Sequence, residues 1–245
     1  MSSVHARIPT LSWSPPVPKR PPSRPKDLRR AVLDASLALV EEGGVGALSM
    51  REVARRARVT HGAPYHHFAD RAAILADLAE EGFALLTREM TAATAEQPVG
   101  SIARFQACGL AYFRFATAHA AYMRIMFRPE LAAPKDHPMV DAAAKGAMRV
   151  LTECVAECQT AGVMPVGDAT AIVLTSWAAI HGLASLWLDG PLCRLGEWSG
   201  PPERLAVMVA QTLGSMLRTP KPGAAEREGQ HEQPARRRIR GGGTA

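Results

Sequence analysis

Twenty consecutive residues, Ala169 to Leu188, carry no charged side chain, and their apolar positions occupy two helical faces at once. Leu174, Trp177, His181, Ala184 and Leu188 follow one another at helical spacing, and so do Val173, Ser176, Ile180, Leu183 and Trp187. Such a helix must be covered on two sides. The stretch has the length of a membrane span. Thr170, Thr175, Ser176, His181, Gly182 and Ser185 make it too polar for one, however, and Asp168 and Asp189 flank it without an adjacent basic cluster. It therefore reads as a helix buried within protein, outside any membrane, and it requires other helices or a second subunit to cover it.

The rest of the chain is suited to supply them. Of 245 residues 47% are hydrophobic and 21% charged, which excludes wholesale disorder. Aromatics make up only 5%, β-branched residues are sparse, and the abundant Ala, Leu, Arg and Glu favour helix. An all-α fold is expected, and no segment calls for a strand.

Charge divides the chain further. Residues 1–25 hold four basic and no acidic side chains, 26–82 eight and nine, 83–217 ten and eleven, and 218–245 seven and three. The ends are basic and the body is near neutral, so affinity for nucleic acid must come from local arrangement in the body, with the ends adding diffuse attraction to phosphate. Residues 1–25, with seven prolines, and 218–245, rich in Gly, Glu and Arg, read as disordered basic arms. Residues 26–82 and 83–217 read as two folded domains. The first 25 residues lack the apolar core of a signal peptide, which with four cysteines (Cys108, Cys154, Cys158, Cys193) predicts a reduced, cytoplasmic protein. Cys154 and Cys158, at i and i+4, could share a metal or respond to oxidation. No His or carboxylate cluster accompanies them, so buried thiols are the better reading, and neither metal nor cofactor is expected.

In the first domain, Leu28, Val32, Ala35 and Leu39 form a helical stripe that Gly43-Gly44 ends. Ser49 and Glu52 form a capping box that opens a second helix of about two turns, with Met50, Val53, Ala54 and Ala57 facing inward. Thr60 is positioned to cap a third short helix carrying Tyr65 and Phe68, and Asp70 a fourth running through Ile74, Leu75 and Leu78 to Gly82. Two short capped helices joined by Arg58-Val59-Thr60 within a three-helix unit form a helix-turn-helix pattern, in which one helix supports another whose outer face enters a major groove.

Beyond residue 82, Ser101 caps a helix with Ile102, Phe105, Cys108, Tyr112 and Phe115 on one side. Ala121–Phe127 is a second apolar segment before Pro129, and Met139–Gln159 is amphipathic. Pro202 fits the first position of a last helix, with Leu205, Met208, Val209, Thr212, Leu213, Met216 and Leu217 as its apolar stripe.

The run Leu48-Ser49-Met50-Arg51-Glu52-Val53-Ala54, followed by Ala57-Arg58-Val59-Thr60-His61-Gly62-Ala63-Pro64-Tyr65-His66-His67-Phe68-Ala69-Asp70-Arg71, resembles the DNA-binding domain of the TetR/AcrR family over residues 26–82. Tyr112-Phe113-Arg114-Phe115-Ala116, His119, Tyr122 to Phe127, Trp177, His181 and Gly182 resemble the regulatory domain of the subgroup named for its Trp-His-Gly residues, with Ala120 where a proline is usual. The resemblance implies a homodimer whose DNA-binding domains respond to a small ligand held in the C-terminal domain.

The residues permit specific roles. Ser49, Arg58, Thr60, His61, Gly62, Ala63, Tyr65 and His66 fall where base edges and phosphates of double-stranded operator DNA are within reach. Tyr65 reads as a phosphate contact or a structural ring. Arg71 matches the family's basic phosphate-contacting position, with a solvated surface charge as the alternative. At Arg58 the family prefers Gly in a left-handed turn, a conformation that costs a non-Gly residue roughly 1–2 kcal/mol; either the turn is reshaped or Arg58 is retained for a phosphate. In the second domain Tyr112, Phe113, Phe115, Met123, Met126, Phe127, Trp177 and Trp187 are the expected lining of an effector site, with His181 as its polar anchor or, alternatively, a satisfied core histidine. No buried-looking Arg or Asp lies on those stripes, so a largely apolar effector with one hydrogen-bonding group is expected. The uncharged helix and the Pro202–Leu217 helix are expected to form a four-helix dimer interface.

These readings converge on a homodimeric, ligand-released transcriptional repressor acting on a pseudo-palindromic operator. The alternative is a ligand-binding dimeric interaction module in which Arg58 has abolished operator binding. Enzyme signatures are missing: there is no phosphate-cradling Gly loop after a strand, no His-Glu-x-x-His and no Gly-x-Ser-x-Gly.

Overall fold

A computed structural model describes residues 25–131, 135–194 and 200–219. Nearly all of both expected arms, and the Cys193 side chain, lie outside the described residues. Among the described residues every regular element is helical, and they divide into two compact units at Ile74/Leu75.

The first unit is built on α1 (Pro25–Gly43), which buries Val32, Leu33, Ala35, Leu39 and Val40. Ser36 is also buried, its hydroxyl donating to the Val32 carbonyl at 2.8 Å. Gly44, at φ 71°, ends the helix, and a 3-10 turn (Val45–Ala47) leads to α2 (Met50–Ala57). Ser49 Oγ accepts from Glu52 N–H at 3.3 Å, while the Glu52 carboxylate turns to Arg55 at 2.8 Å. Met50, Val53 and Ala54 are buried as expected, and Arg56 grips Glu42 with two bonds of 2.7 and 2.6 Å, tying α2 to the end of α1.

Two expectations are corrected here. The third helix is not an α-helix but a single 3-10 turn, Ala63–His66. Pro64 lacks an N–H and Gly62 adds backbone freedom, so a regular helix does not propagate; instead His67 and Phe68 N–H both donate to the Pro64 carbonyl at 3.0 Å. The fourth helix does not stop at Gly82: α3 spans Arg71–Ala95, opened by Asp70 accepting from Ala73 N–H at 2.9 Å. Gly82 is a notch rather than a cap. A Cβ there would lie 2.7 Å from Met126 Sδ and 3.0 Å from the Tyr122 ring.

The second unit is organised around α4 (Ile102–Ala118), which packs against α5 (Ala120–Met126), α6 (Pro138–Thr160), α7 (Ala169–Leu188) and α9 (Pro202–Met216). That central position explains why α4 buries residues on most of its circumference, Phe105, Cys108, Ala111, Tyr112, Phe113, Phe115 and Ala116. The uncharged segment is α7, capped by Asp168 accepting from Thr170 N–H at 2.8 Å. It is long and apolar enough to cross a membrane by length and composition, yet it packs on α4, α6, α9 and the short α8 (Pro191–Arg194). Val173, Ser176, Ile180, Leu183 and Ala184 are buried, whereas Leu174 and Leu186 are exposed. On α9 the buried positions are Ala206, Ala210 and Gly214, one residue round from the expected stripe, and Met208 and Met216 face outward. Close approach decides this register: a Cβ on Gly214 would meet Gln106 Nε2 at 2.6 Å, so only small residues fit against α4.

Candidate nucleic-acid interface and internal cavity

In the first unit the turn after α2 is left-handed at Arg58, with φ 57° and ψ 42°, the one non-glycine residue at positive φ among the described residues. Arg58 N–H donates to Arg55 O at 3.2 Å and Val59 N–H to Ala54 O at 3.0 Å, the paired bonds of a Schellman helix end. The turn is thus kept with an arginine in the glycine position. Arg58 is exposed, and among the described residues its guanidinium makes no hydrogen bond or ion pair.

From Arg51 to His67 the only carboxylate is Glu52, and Arg55 neutralises it. Ser49, Thr60, His61, Gly62, Tyr65 and His66 are all exposed, Ala63 is half-buried, and Pro64 and Phe68 anchor the turn from below. Tyr65 is 50% exposed with its ring edge-on to His61 at 6.1 Å. Phe68 packs under the Arg29 guanidinium at 5.6 Å.

Arg71 is not the solvated surface charge of the alternative reading. Its Nε donates to Leu48 O at 3.0 Å and an Nη to Val45 O at 2.9 Å. These bonds hold one carbonyl at the start of the 3-10 turn and one just past its end, next to the start of α2. The sequence offered no signal for this, because its partners are backbone groups 23 and 26 residues away.

The second unit encloses a cavity of about 330 Å³. Helical period selects its walls: Phe83, Leu86 and Met90 from α3; Phe105, Gly109 and Tyr112 from α4; Val140, Ala144, Ala147 and Leu151 from α6. Of the expected residues Tyr112, Met126, Phe127 and Trp177 line it; Phe113, Phe115, Met123 and Trp187 do not. Phe113 is turned about 100° round α4 from Tyr112. Phe115 lies a turn beyond, where its ring meets His119 at 5.0 Å. Met123 is buried a turn before Met126.

His181 is not in the wall either; it stands behind it. Its Nδ1 lies 2.7 Å from Tyr112 Oη, and its ring packs 4.5 Å from Phe127 and 5.7 Å from Trp177. Burial lowers the His181 pKa and raises that of Tyr112, the latter partly offset by a hydrogen bond from Trp177. A neutral His181 accepting the Tyr112 hydroxyl proton satisfies both groups, so Tyr112 presents its ring to the cavity with its hydroxyl already engaged.

Charged groups reach the cavity from outside the expected stripes. Arg128 and Asp141 both border the cavity. Each has a partner, Arg128 to Glu130 at 2.9 Å and Asp141 to Lys145 at 2.7 Å. Gln106 and Ser176, likewise missed, add uncharged polar groups.

Cys154 faces Cys108 across α4 and α6. A hydrogen bond from Cys108, with Arg104 nearby, lowers the Cys154 pKa; the same bond, with burial, raises that of Cys108, and burial pushes Cys158 up to about 11. All three are free and buried, and no metal-holding group of three or more ligands occurs among the described residues.

Family comparison matches residues 32–78 to "Bacterial regulatory proteins, tetR family" and residues 105–213 to "Tetracyclin repressor-like, C-terminal domain". Among solved structures, a protein of unknown function from Rhodococcus sp. RHA1 is 35% identical, with TM-score 0.69 over 78% of this chain and 96% of its own. A tetR-family regulatory protein from Rhodococcus RHA1 is 19% identical (TM-score 0.64, 78% and 96% covered), and PfmR, a TetR family transcriptional regulator from Thermus thermophilus, is 17% identical (TM-score 0.62, 75% and 97%). A search of curated protein sequences finds no significant match. The matched domains are those of DNA-binding transcription factors rather than enzymes. With an exposed helix-turn-helix edge in one unit and a helical, cavity-bearing second unit, the chain belongs to the TetR family of bacterial transcriptional regulators.

Proposed function

We propose that the protein is a homodimeric repressor that binds a pseudo-palindromic operator and is released by a small, largely apolar effector held in the cavity of its second unit. The observation that carries the DNA-binding half is the left-handed Arg58 turn. The rival reading, a dimer that has lost its operator, rested on Arg58 deforming that turn, and the turn keeps its Schellman geometry. Arg58, Thr60, His61, Tyr65 and His66 then offer donors to phosphate and base edges.

Dimerisation is supported by the apolar side chains left uncovered on α7 and α9, Leu174, Leu186, Met208 and Met216. Two such helices per protomer make a four-helix interface, and a two-fold protein presents two reading heads to successive major grooves. The Trp177–His181–Tyr112 cluster favours the Trp-His-Gly subgroup, and a repressor of this kind acts in the cytoplasm.

A mobility-shift titration on the DNA upstream of the protein's own reading frame tests this function. Saturable, salt-sensitive binding at one dimer per site, against weak binding to scrambled DNA, is expected. Equal affinity for both would overturn it.

A further inference from the structure

We infer that the cavity selects an elongated apolar molecule bearing an uncharged hydrogen-bonding group at each end. This deepens the proposed effector reading and rests on it for its link to DNA release, though not for binding itself.

The argument starts from register. Arg104 pairs with Glu157 at 2.8 Å, Cys158 Sγ meets Ser101 O at 3.4 Å, and Cys108 faces Cys154, so α4 and α6 run antiparallel. Gln106 therefore sits level with the α6 turn around Cys154, while Asp141 lies 13 residues back along that helix, about 20 Å away at 1.5 Å per residue. Gln106 and Asp141 nevertheless border the same cavity. The space must run lengthwise between them.

Its polar groups are segregated accordingly. At one end Gln106 packs against α9, its Nε2 3.4 Å from Ala210 O, a long bond that leaves the amide available to a ligand. At the other end stands Asp141, already neutralised by Lys145, and Arg128, which also borders the cavity, is neutralised by Glu130. With both charges compensated by their own partners, the lining carries no net charge, which favours a neutral head over a full charge. The α3, α4 and α6 walls are otherwise apolar apart from the Tyr112 hydroxyl, which His181 occupies, and on α7 the Ser176 hydroxyl donates to Ile172 O at 2.7 Å. Allowing for the reach of the end side chains, the two ligand groups stand about 15 Å apart, the span of a roughly twelve-carbon extended chain.

The test uses the full-length protein and calorimetric titration with 1-dodecanol and 1,12-dodecanediol. Were the Gln106 end simply apolar, the second hydroxyl would be buried without a partner and the diol would bind roughly ten-fold or more weaker than the alcohol. We expect the diol to bind at least as tightly, and diols of six carbons to lose affinity because they no longer reach both ends. Gln106→Met, which keeps the length of the side chain, should reinstate the ten-fold penalty on the diol while leaving 1-dodecanol unchanged; the alcohol thus reports an intact cavity. Gly109→Leu should weaken both probes, since a Cβ at Gly109 meets nothing within 4 Å and the added side chain enters the cavity without displacing protein. A diol penalty in the wild type, or one insensitive to Gln106→Met, would overturn the inference. Diol binding of the expected pattern that leaves operator affinity unchanged would support the inference and refute effector release.

Discussion

Arg58→Gly tests both what the left-handed turn costs and why it is retained. A non-glycine residue in this conformation costs roughly 1–2 kcal/mol. The backbone bonds that close the turn come from the N–H groups of Arg58 and Val59, so glycine keeps both. The exposed side chain makes no bond among the described residues that the substitution would break. Against the relief stands the larger freedom of glycine in the unfolded chain, about 0.4–1 kcal/mol. The net expectation is a gain of about 1 kcal/mol, or ~2–4 °C in Tm for a chain of this size, read by thermal melting of the full-length dimer. Arg58→Ala separates the two roles: it keeps the strain and removes the charge, so its Tm should match wild type. If Arg58 holds a phosphate, both variants lose operator affinity and the salt slope falls by about 1 for each phosphate no longer neutralised. An Arg58→Gly variant that melts at or below the wild-type temperature would refute the strain argument. Unchanged binding in both variants would show that Arg58 holds no phosphate.

Further outcomes separate structural from DNA-facing residues. Arg71→Gln should destabilise the protein by roughly 1–3 kcal/mol, because two carbonyls lose a charged donor, whereas Tyr65→Ala should leave the melt unchanged and weaken operator binding with a smaller salt slope; the reverse pattern would exchange their roles. His181 has a lowered folded-state pKa from burial, so the unfolded chain binds the proton more readily. Its contribution to stability is complete above the unfolded value of about 6.5 and is lost as pH falls toward the lowered folded value. Replacing it with Gln should flatten the melting temperature across that window, and an unaltered acid slope would show that other groups cause it. The chain trimmed to residues 26–218 should remain dimeric by light scattering and lose only non-specific, salt-sensitive DNA affinity; dissociation into monomers would assign an arm to the interface.

Where a local signal had only one physical solution, the reading from sequence and the structure agree. Ser49, Asp70 and Ser101 each accept a backbone N–H at the start of a helix, Gly44 ends α1, and Pro202 begins α9. Disagreement arises where a residue has two possible uses. Glycine both ends helices and admits close neighbours; at Gly82 the second use holds, because Met126 and Tyr122 occupy the space a side chain would need. The stripe on α9 misleads for a related reason. Leu205, Met208 and Met216 are the more apolar residues, but Gln106 and Ile102 approach so closely that Ala206, Ala210 and Gly214 take the inner face.

The cavity was harder to read because it is defined partly by side chains that are small. Aromatic residues such as Phe113 and Phe115 suggested a lining, yet a central helix covered on most sides buries aromatic residues whether or not a cavity adjoins them. Small residues contribute to the space, Gly109 on α4 and Ala144 and Ala147 on α6, and small residues on a helical stripe look in sequence like ordinary close packing. Arg128 was hidden for a different reason. It follows α5 by two residues, between that helix and the 3-10 turn Pro129–Leu131, at a bend whose direction no periodicity encodes. Helix ends and stripes are local properties of the chain, whereas the polarity of a cavity's two ends depends on the register between helices, fixed here by pairs such as Arg104–Glu157 that lie 53 residues apart.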